Sequence, residues 1–180
     1  MVLRYVVVCL LLLASCTAQL QDRPDKLTND LGQYPHWFFD EEQQFNALMI
    51  VDKDASTTDR ETARMMLANL REYDASIPDD LVEYPTNLMA NNAIVLGSCS
   101  QVPPNKFANL YLDCVSMLEE QALIRIVPHH GVWLLFIVGY DEERTRDAVD
   151  MLSRYQEFPL RAQGLEVVRE AGTYRVELPR

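Results

Sequence analysis

Two cysteines in the body of this 180-residue chain, Cys99 and Cys114, are the residues from which covalent chemistry could most readily be built. They are the pair left for bridging if Cys16 near the start is lipidated or removed. A bridge between them closes a loop of about 15 residues, worth roughly 3 kcal/mol through restriction of the unfolded chain, and an oxidising compartment favours it. Two other readings stay open. The pair can persist as free thiols, with Cys114 on the apolar face of a helix, because sequence fixes neither distance nor orientation. Alternatively, Cys99 follows a strand, where open α/β sheets bind ligands, and a nearby helix N-terminus would stabilise its thiolate as a nucleophile with Cys114 as resolving partner. The sequence names no base for that reaction.

The other reactive side chains are poorly spaced for chemistry. His129 and His130 are adjacent, so on a strand they point to opposite faces and do not chelate one metal as a pair. They read as turn residues, and no ligand spacing joins them to His36. The acids Asp79, Asp80 and Glu83 and the run Asp40, Glu41 and Glu42 lack the ordered pattern of a calcium loop and read as a solvated face. Gly97 and Gly139 belong to neither G-x-G-x-x-G nor a P-loop, so nucleotide binding finds no support and no cofactor is expected. Tyr34, His36, Trp37, Phe38 and Phe39 form an aromatic cluster that is either a partner surface or, as is commoner, an arm covering the core.

Charge narrows the partners. The formal net charge is −11, and losing the first eighteen residues, which hold Arg4 and no acid, takes it to −12. Such a surface repels phosphate backbones, and no basic cluster offsets it, which argues against nucleic acid. Apolar residues at 48% and charged residues at 24% match ordinary globular usage. One core is expected at this length.

Residues 1–18 carry Arg4, an apolar run from Val6 to Leu13, then the small residues Ala14, Ser15, Cys16, Thr17 and Ala18. That is the layout of a secretory signal. The run is short of the about 20 apolar residues that span a bilayer. Leu13-Ala14-Ser15-Cys16 also resembles a prokaryotic lipobox, which makes Cys16 the lipidated first residue of the mature protein; ordinary cleavage after Ala18 is the alternative. Either product lies outside the cytoplasm. Residues 19–30, polar and containing Pro24, read as a tether, and residues 31–180 as a single domain.

The elements that would position these residues alternate in type. Phe45 to Val51 is an apolar run bounded by charge, a strand buried on both faces. A helix follows, capped by Thr57 or Thr58, with Asp59 and Glu61 at its positive end and Ala63, Met66, Leu67 and Leu70 on its apolar face. Asp74 to Asn92, with Pro78 and Pro85, reads as a loop or irregular helix. Ala93 to Leu96 is a strand ended by a Gly97-Ser98-Cys99 turn, and Val102-Pro103-Pro104-Asn105 leads into a helix bearing Phe107, Leu110, Tyr111 and Cys114. Ala122 to Val127 and Val132 to Val138 form a hairpin around Pro128-His129-His130-Gly131. The second of these strands is the most apolar stretch and belongs at the sheet centre. Asp141 and Glu142 open a helix with Thr145, Ala148, Val149, Leu152 and Tyr155 at helical spacing. Leu165 to Val168 and Thr173 to Leu178 close the chain as paired strands about Ala171-Gly172. The predicted fold is α/β: a mainly parallel sheet flanked by helices, with antiparallel hairpins in the C-terminal half.

Several segments resemble the archaeal S-layer protein family and its small secreted relatives. Leu31-Gly32-Gln33-Tyr34-Pro35 and Phe38, then Phe45-Asn46-Ala47-Leu48-Met49-Ile50-Val51, are similar to its Tyr-Pro and Phe-Asn-strand elements, and Asp59 and Ala63 fall at its first helix. Asn92 to Cys99 is similar to a strand ending in Gly-Gly-Pro-Cys, with Leu96 for the first Gly and Ser98 for Pro. The segment from Val138 through Gly139, Tyr140, Asp141, Thr145, Arg146 and Ala148 to Leu152 and Tyr155 resembles its Gly-Tyr helix start. The resemblance, over residues 31–169, implies a non-catalytic α/β module of the cell surface and an archaeal origin. Its partners would be envelope proteins or further copies, with the membrane reached through a lipid on Cys16. A third function stays open, a solute-binding module using the loops Asp52 to Thr58, Ser98 to Gln101 and Tyr140 to Glu142.

Overall fold

A computed structural model of the chain describes residues 26–84, 91–99, 114–158 and 160–178. The leader, Cys16, most of the tether and all but the end, at Cys114, of the helix expected after Pro103 and Pro104 lie outside the described residues. Among the described residues seven strands form one mixed sheet in the order β2-β1-β3-β5-β4-β6-β7. They are β1 (Ala47–Asp52), β2 (Val82–Tyr84), β3 (Asn92–Ser98), β4 (Gln121–His129), β5 (Val132–Gly139), β6 (Gly164–Glu170) and β7 (Thr173–Glu177). The first half is parallel, with β2, β3 and β5 all running with β1; β4, β6 and β7 are added antiparallel. The α/β reading therefore holds.

The apolar stretch Val132–Gly139 occupies the middle of the sheet. A strand flanked on both sides and buried on both faces tolerates few polar residues, and Leu134 to Val138 are all buried. Its hairpin to β4 turns at His130 and Gly131, both at positive φ, the backbone that a two-residue connection between twisted strands requires. Pro128 lies within β4, opposite Trp133. The rings of His129 and His130 stand edge to face with centroids 4.5 Å apart. The turn reading holds for His130, whereas His129 is the last residue of β4.

Helices α1 (Thr57–Leu70) and α2 (Glu142–Ser153) lie together on one face. Ala63, Met66, Leu67 and Leu70 of α1 and Ala148, Val149, Met151 and Leu152 of α2 meet sheet residues such as Met49, Ile94, Leu135 and Ile137 in the main core. The opposite face holds a second cluster of Ile50, Ala93, Val95, Leu134, Phe136 and Val138, with Cys99, Cys114 and Met117 packed against it. No helix among the described residues is long and apolar enough to cross a membrane.

Three local readings are corrected. Ser56, not Thr57 or Thr58, caps α1, accepting the Asp59 N–H at 3.1 Å. The stretch from Asp74 to Asn92 contains β2, a three-residue half-buried edge strand too short to show alternation. Gly97 and Ser98 continue β3 instead of ending it, since both pair with β5.

The aromatic segment is a core-covering arm. Tyr34, Trp37, Phe38 and Phe39 are buried. The Trp37 indole donates to the Thr28 carbonyl at 2.9 Å, and the Asn92 amide donates to the Trp37 carbonyl at 2.8 Å. Asn92 also accepts the Trp133 N–H at 2.9 Å. The arm thus seals the amino-terminal ends of β3 and β5, and residues 26–30 take part through Leu27 and Thr28.

Candidate functional site

The parallel strands β1, β3 and β5 end at Asp52, Ser98 and Gly139. From β1 the chain reaches β2 on one side and β3 on the other, so the carboxyl ends of β1 and β3 border the crevice in which open α/β sheets bind ligands. Both described helices start here. Ser56 caps α1, and Asp141 caps α2 by accepting the Arg144 N–H at 2.8 Å.

Strand alternation sends Ser98 and Cys99 to opposite faces. On the helix side, Asp59 of the first turn of α1 is 0% exposed, and neither carboxylate oxygen has a hydrogen-bond partner. Burial first, and then the charge of Glu142, push its pKa up from 3.8 to about 6. The Ser98 amide and hydroxyl are near enough to pull the other way, although neither makes a bond of good geometry with the carboxylate. An unsatisfied buried polar group costs about 1–3 kcal/mol, and more when charged. Among the described residues the only other buried side-chain N or O atom lacking a partner is the Asn69 amide nitrogen.

Next to Asp59, the start of α2 is closely knit. The Thr145 hydroxyl accepts the Gly139 N–H at 3.1 Å and shares its hydrogen between the carbonyls of Asp141 at 2.9 Å and Gly97 at 3.2 Å. One hydroxyl thereby ties β3, β5 and α2 together. Gly139 is required by this approach, because a Cβ there would run into the Thr145 amide nitrogen and the Asp141 carbonyl. Asp147, also buried, accepts from Arg144 at 2.7 Å and from Arg169 of β6 at 3.0 Å. Burial raises its pKa, and the two guanidiniums oppose that rise.

On the other face, Cys99 and Cys114 stand in disulfide geometry, with Cα atoms 5.5 Å apart, within the usual range for a bridge. The Cys99 sulfur lies 3.8 Å from that of Met117. Bridged, Cys99 offers no thiolate. Residues 114–116 are helical, so the bridge links the end of a central strand to a helical segment.

No family model matches the chain, and no curated protein does.

The remaining residues considered for chemistry are dispersed. His36 is buried in the arm, whereas His129 and His130 sit at the β4–β5 hairpin. Asp79 pairs with Arg71 and Glu83 with Arg60, while Asp40 accepts the amides of Glu42 and Gln44. Among the described residues no three His, Cys, Asp or Glu side chains are placed to hold a metal. Of the three loops considered for a solute, Asp52 to Thr58 and Tyr140 to Glu142 do flank Asp59 along with Ser98, but Ser100 and Gln101 lie outside the described residues. In the sequence Asp59 reads as a helix N-terminal acid and Thr145 as part of an apolar helix face. Only the folded chain places a buried carboxylate beside the end of β3.

Proposed function

We propose that the chain is an exported, non-catalytic module of the cell surface, related to the S-layer proteins, with a structural or interaction role. The observation that carries this reading is the Cys99–Cys114 pair in bonding geometry, because such bridges persist outside the reducing cytosol. The leader-like residues 1–18 and the acidic balance of −11 agree with it. Its partners are envelope proteins or further copies; a lipid on Cys16 anchors it if the lipobox is processed, and ordinary cleavage after Ala18 is the alternative. The test is cell fractionation. The protein is expected in the envelope, and Cys99→Ser is expected to lower stability with no loss of any turnover; recovery in the soluble cytosolic fraction would contradict this reading.

A second reading, a solute-binding module, is favoured by Asp59, whose buried carboxylate lacks a partner at the carboxyl ends of the strands. A rise in melting temperature with an added solute, lost in Asp59→Asn, would support it. The thiol-enzyme reading requires a reduced, low-pKa Cys99. Alkylation of the native protein at mildly acidic pH decides that matter, since absence of a fast-reacting thiol excludes it.

A further inference from the structure

β7 ends the sheet and pairs with β6 alone among the described residues. The two strands are joined through Ala171 and Gly172, both at positive φ, so Glu170 and Thr173 form the hydrogen-bonded pair that closes this two-residue hairpin. Alternation then decides where each backbone group points. Thr173, Arg175 and Glu177 direct their amides and carbonyls toward β6, while Tyr174 and Val176 direct theirs outward. The side chains alternate as well. Tyr174 and Val176 pack on the helix-side core; Arg175 and Glu177 stand on the opposite face, where Arg175 lies 3.1 Å from Glu170 and 3.3 Å from Glu177.

An edge of this kind admits a second copy only in registers that its charges allow. Antiparallel pairing about a two-fold axis at Arg175 sets the two guanidiniums against each other. An axis at Tyr174 leaves Arg175 opposite Thr173. An axis at Val176 places Arg175 of each copy opposite Glu177 of the other, twice, in non-hydrogen-bonded pairs where side chains approach most closely. That register also brings Leu178, which is 67% exposed, alongside Tyr174 of the other copy. Tyr174 is already held by its hydroxyl, which donates to Asp150 at 2.7 Å, and by Arg154 at 5.3 Å from the ring centroid. Charged side chains ordinarily protect an edge from indiscriminate pairing. Here the same charges select one self-complementary arrangement.

We propose that β7 pairs antiparallel with β7 of a second copy of this chain, centred on Val176, so that the sheet continues across the two molecules. The proposal rests on the surface reading and names its partner and its contact. Sedimentation velocity of the purified protein over a concentration series is expected to show monomer and dimer in exchange, with association weakening as salt screens the cross-strand pairs. Arg175→Glu and Glu177→Arg should each weaken association about tenfold or more, since each places like charges opposite one another twice. Mixing those two variants makes both pairs complementary again, so a heterodimer should form more tightly than either variant associates with itself. The double exchange R175E/E177R should dimerise like the parent, which separates the contact from any effect on folding. A parent protein that stays monomeric up to about 1 mM, or a mixture that associates no better than its components, overturns the proposal. A monomer that still fractionates with the envelope defeats the strand pairing alone, whereas a cytosolic protein defeats the surface reading whatever its oligomeric state.

Discussion

Two strand-to-helix junctions stand side by side at the carboxyl end of the sheet, and each buries an aspartate. After β5, Asp147 is met by Arg144 and Arg169, Thr145 links α2 to two strands, and Gly139 allows the approach. After β1, Asp59 is at least as deeply buried and has no hydrogen-bond partner. Burial of a carboxylate therefore has no single meaning in this molecule. One junction is a latch between helix and sheet; the other holds an uncompensated group next to Ser98 and Glu142, where a change of protonation or an incoming positive group has most to gain.

The contrast can be broken from the latched side first. Gly139→Ala should lower stability most, by about 3 kcal/mol or more, because the added methyl meets backbone that cannot move without displacing α2. Urea denaturation monitored by tryptophan fluorescence would record it, and a loss below about 1 kcal/mol would mean that the junction is loose. Asp147→Ala should come next, at about 2 kcal/mol, since it removes the buried acceptor that Arg144 and Arg169 share and leaves Arg144 only its more exposed partners Glu143 and Asp141. Thr145→Val keeps the shape and removes the hydroxyl that serves the Gly139 amide; the expected loss is about 1–2 kcal/mol by the same titration.

Asp59→Asn sharpens the other side of the comparison, and its effect should have the opposite sign. The folded pKa of about 6 lies above the ordinary 3.8, so the folded state holds the proton more tightly than the unfolded chain does. The resulting stabilisation is complete below pH 3.8, falls as pH rises, and is gone above about 6. Asparagine carries no such dependence. The variant should therefore gain on the parent between those limits and exceed it by about 1 kcal/mol at pH 7. Melting curves of both proteins from pH 3.5 to about 8 check this, and parallel curves would show that Asp59 is solvated or paired.

Much of the frame was legible because its signals are local and redundant. The apolar run Val132 to Val138 reads as a central strand, Asp141 followed by acids and helical spacing opens a helix, and Gly131 and Gly172 mark the hairpin turns. β2 escaped because a three-residue edge strand is defined by its neighbour and not by its own pattern. The aromatic segment Tyr34 to Phe39 was ambiguous in sequence, since a buried arm and an exposed patch share a composition; the Asn92 and Trp133 bonds that resolve it join residues 41 to 55 positions apart. Asp59 reads from sequence as an ordinary acid in a first helical turn, and nothing local reveals that β3 and α2 close over it.

Delivery of this acidic α/β body to an oxidising exterior is the central claim, and the intact mass of protein recovered from the envelope tests it most directly. The expected mass is that of a chain beginning at a lipidated Cys16 or after Ala18, lighter by two hydrogen atoms for the Cys99–Cys114 bridge. A full-length chain retaining Met1, with both thiols reduced and recovered from the soluble cytosol, would contradict it.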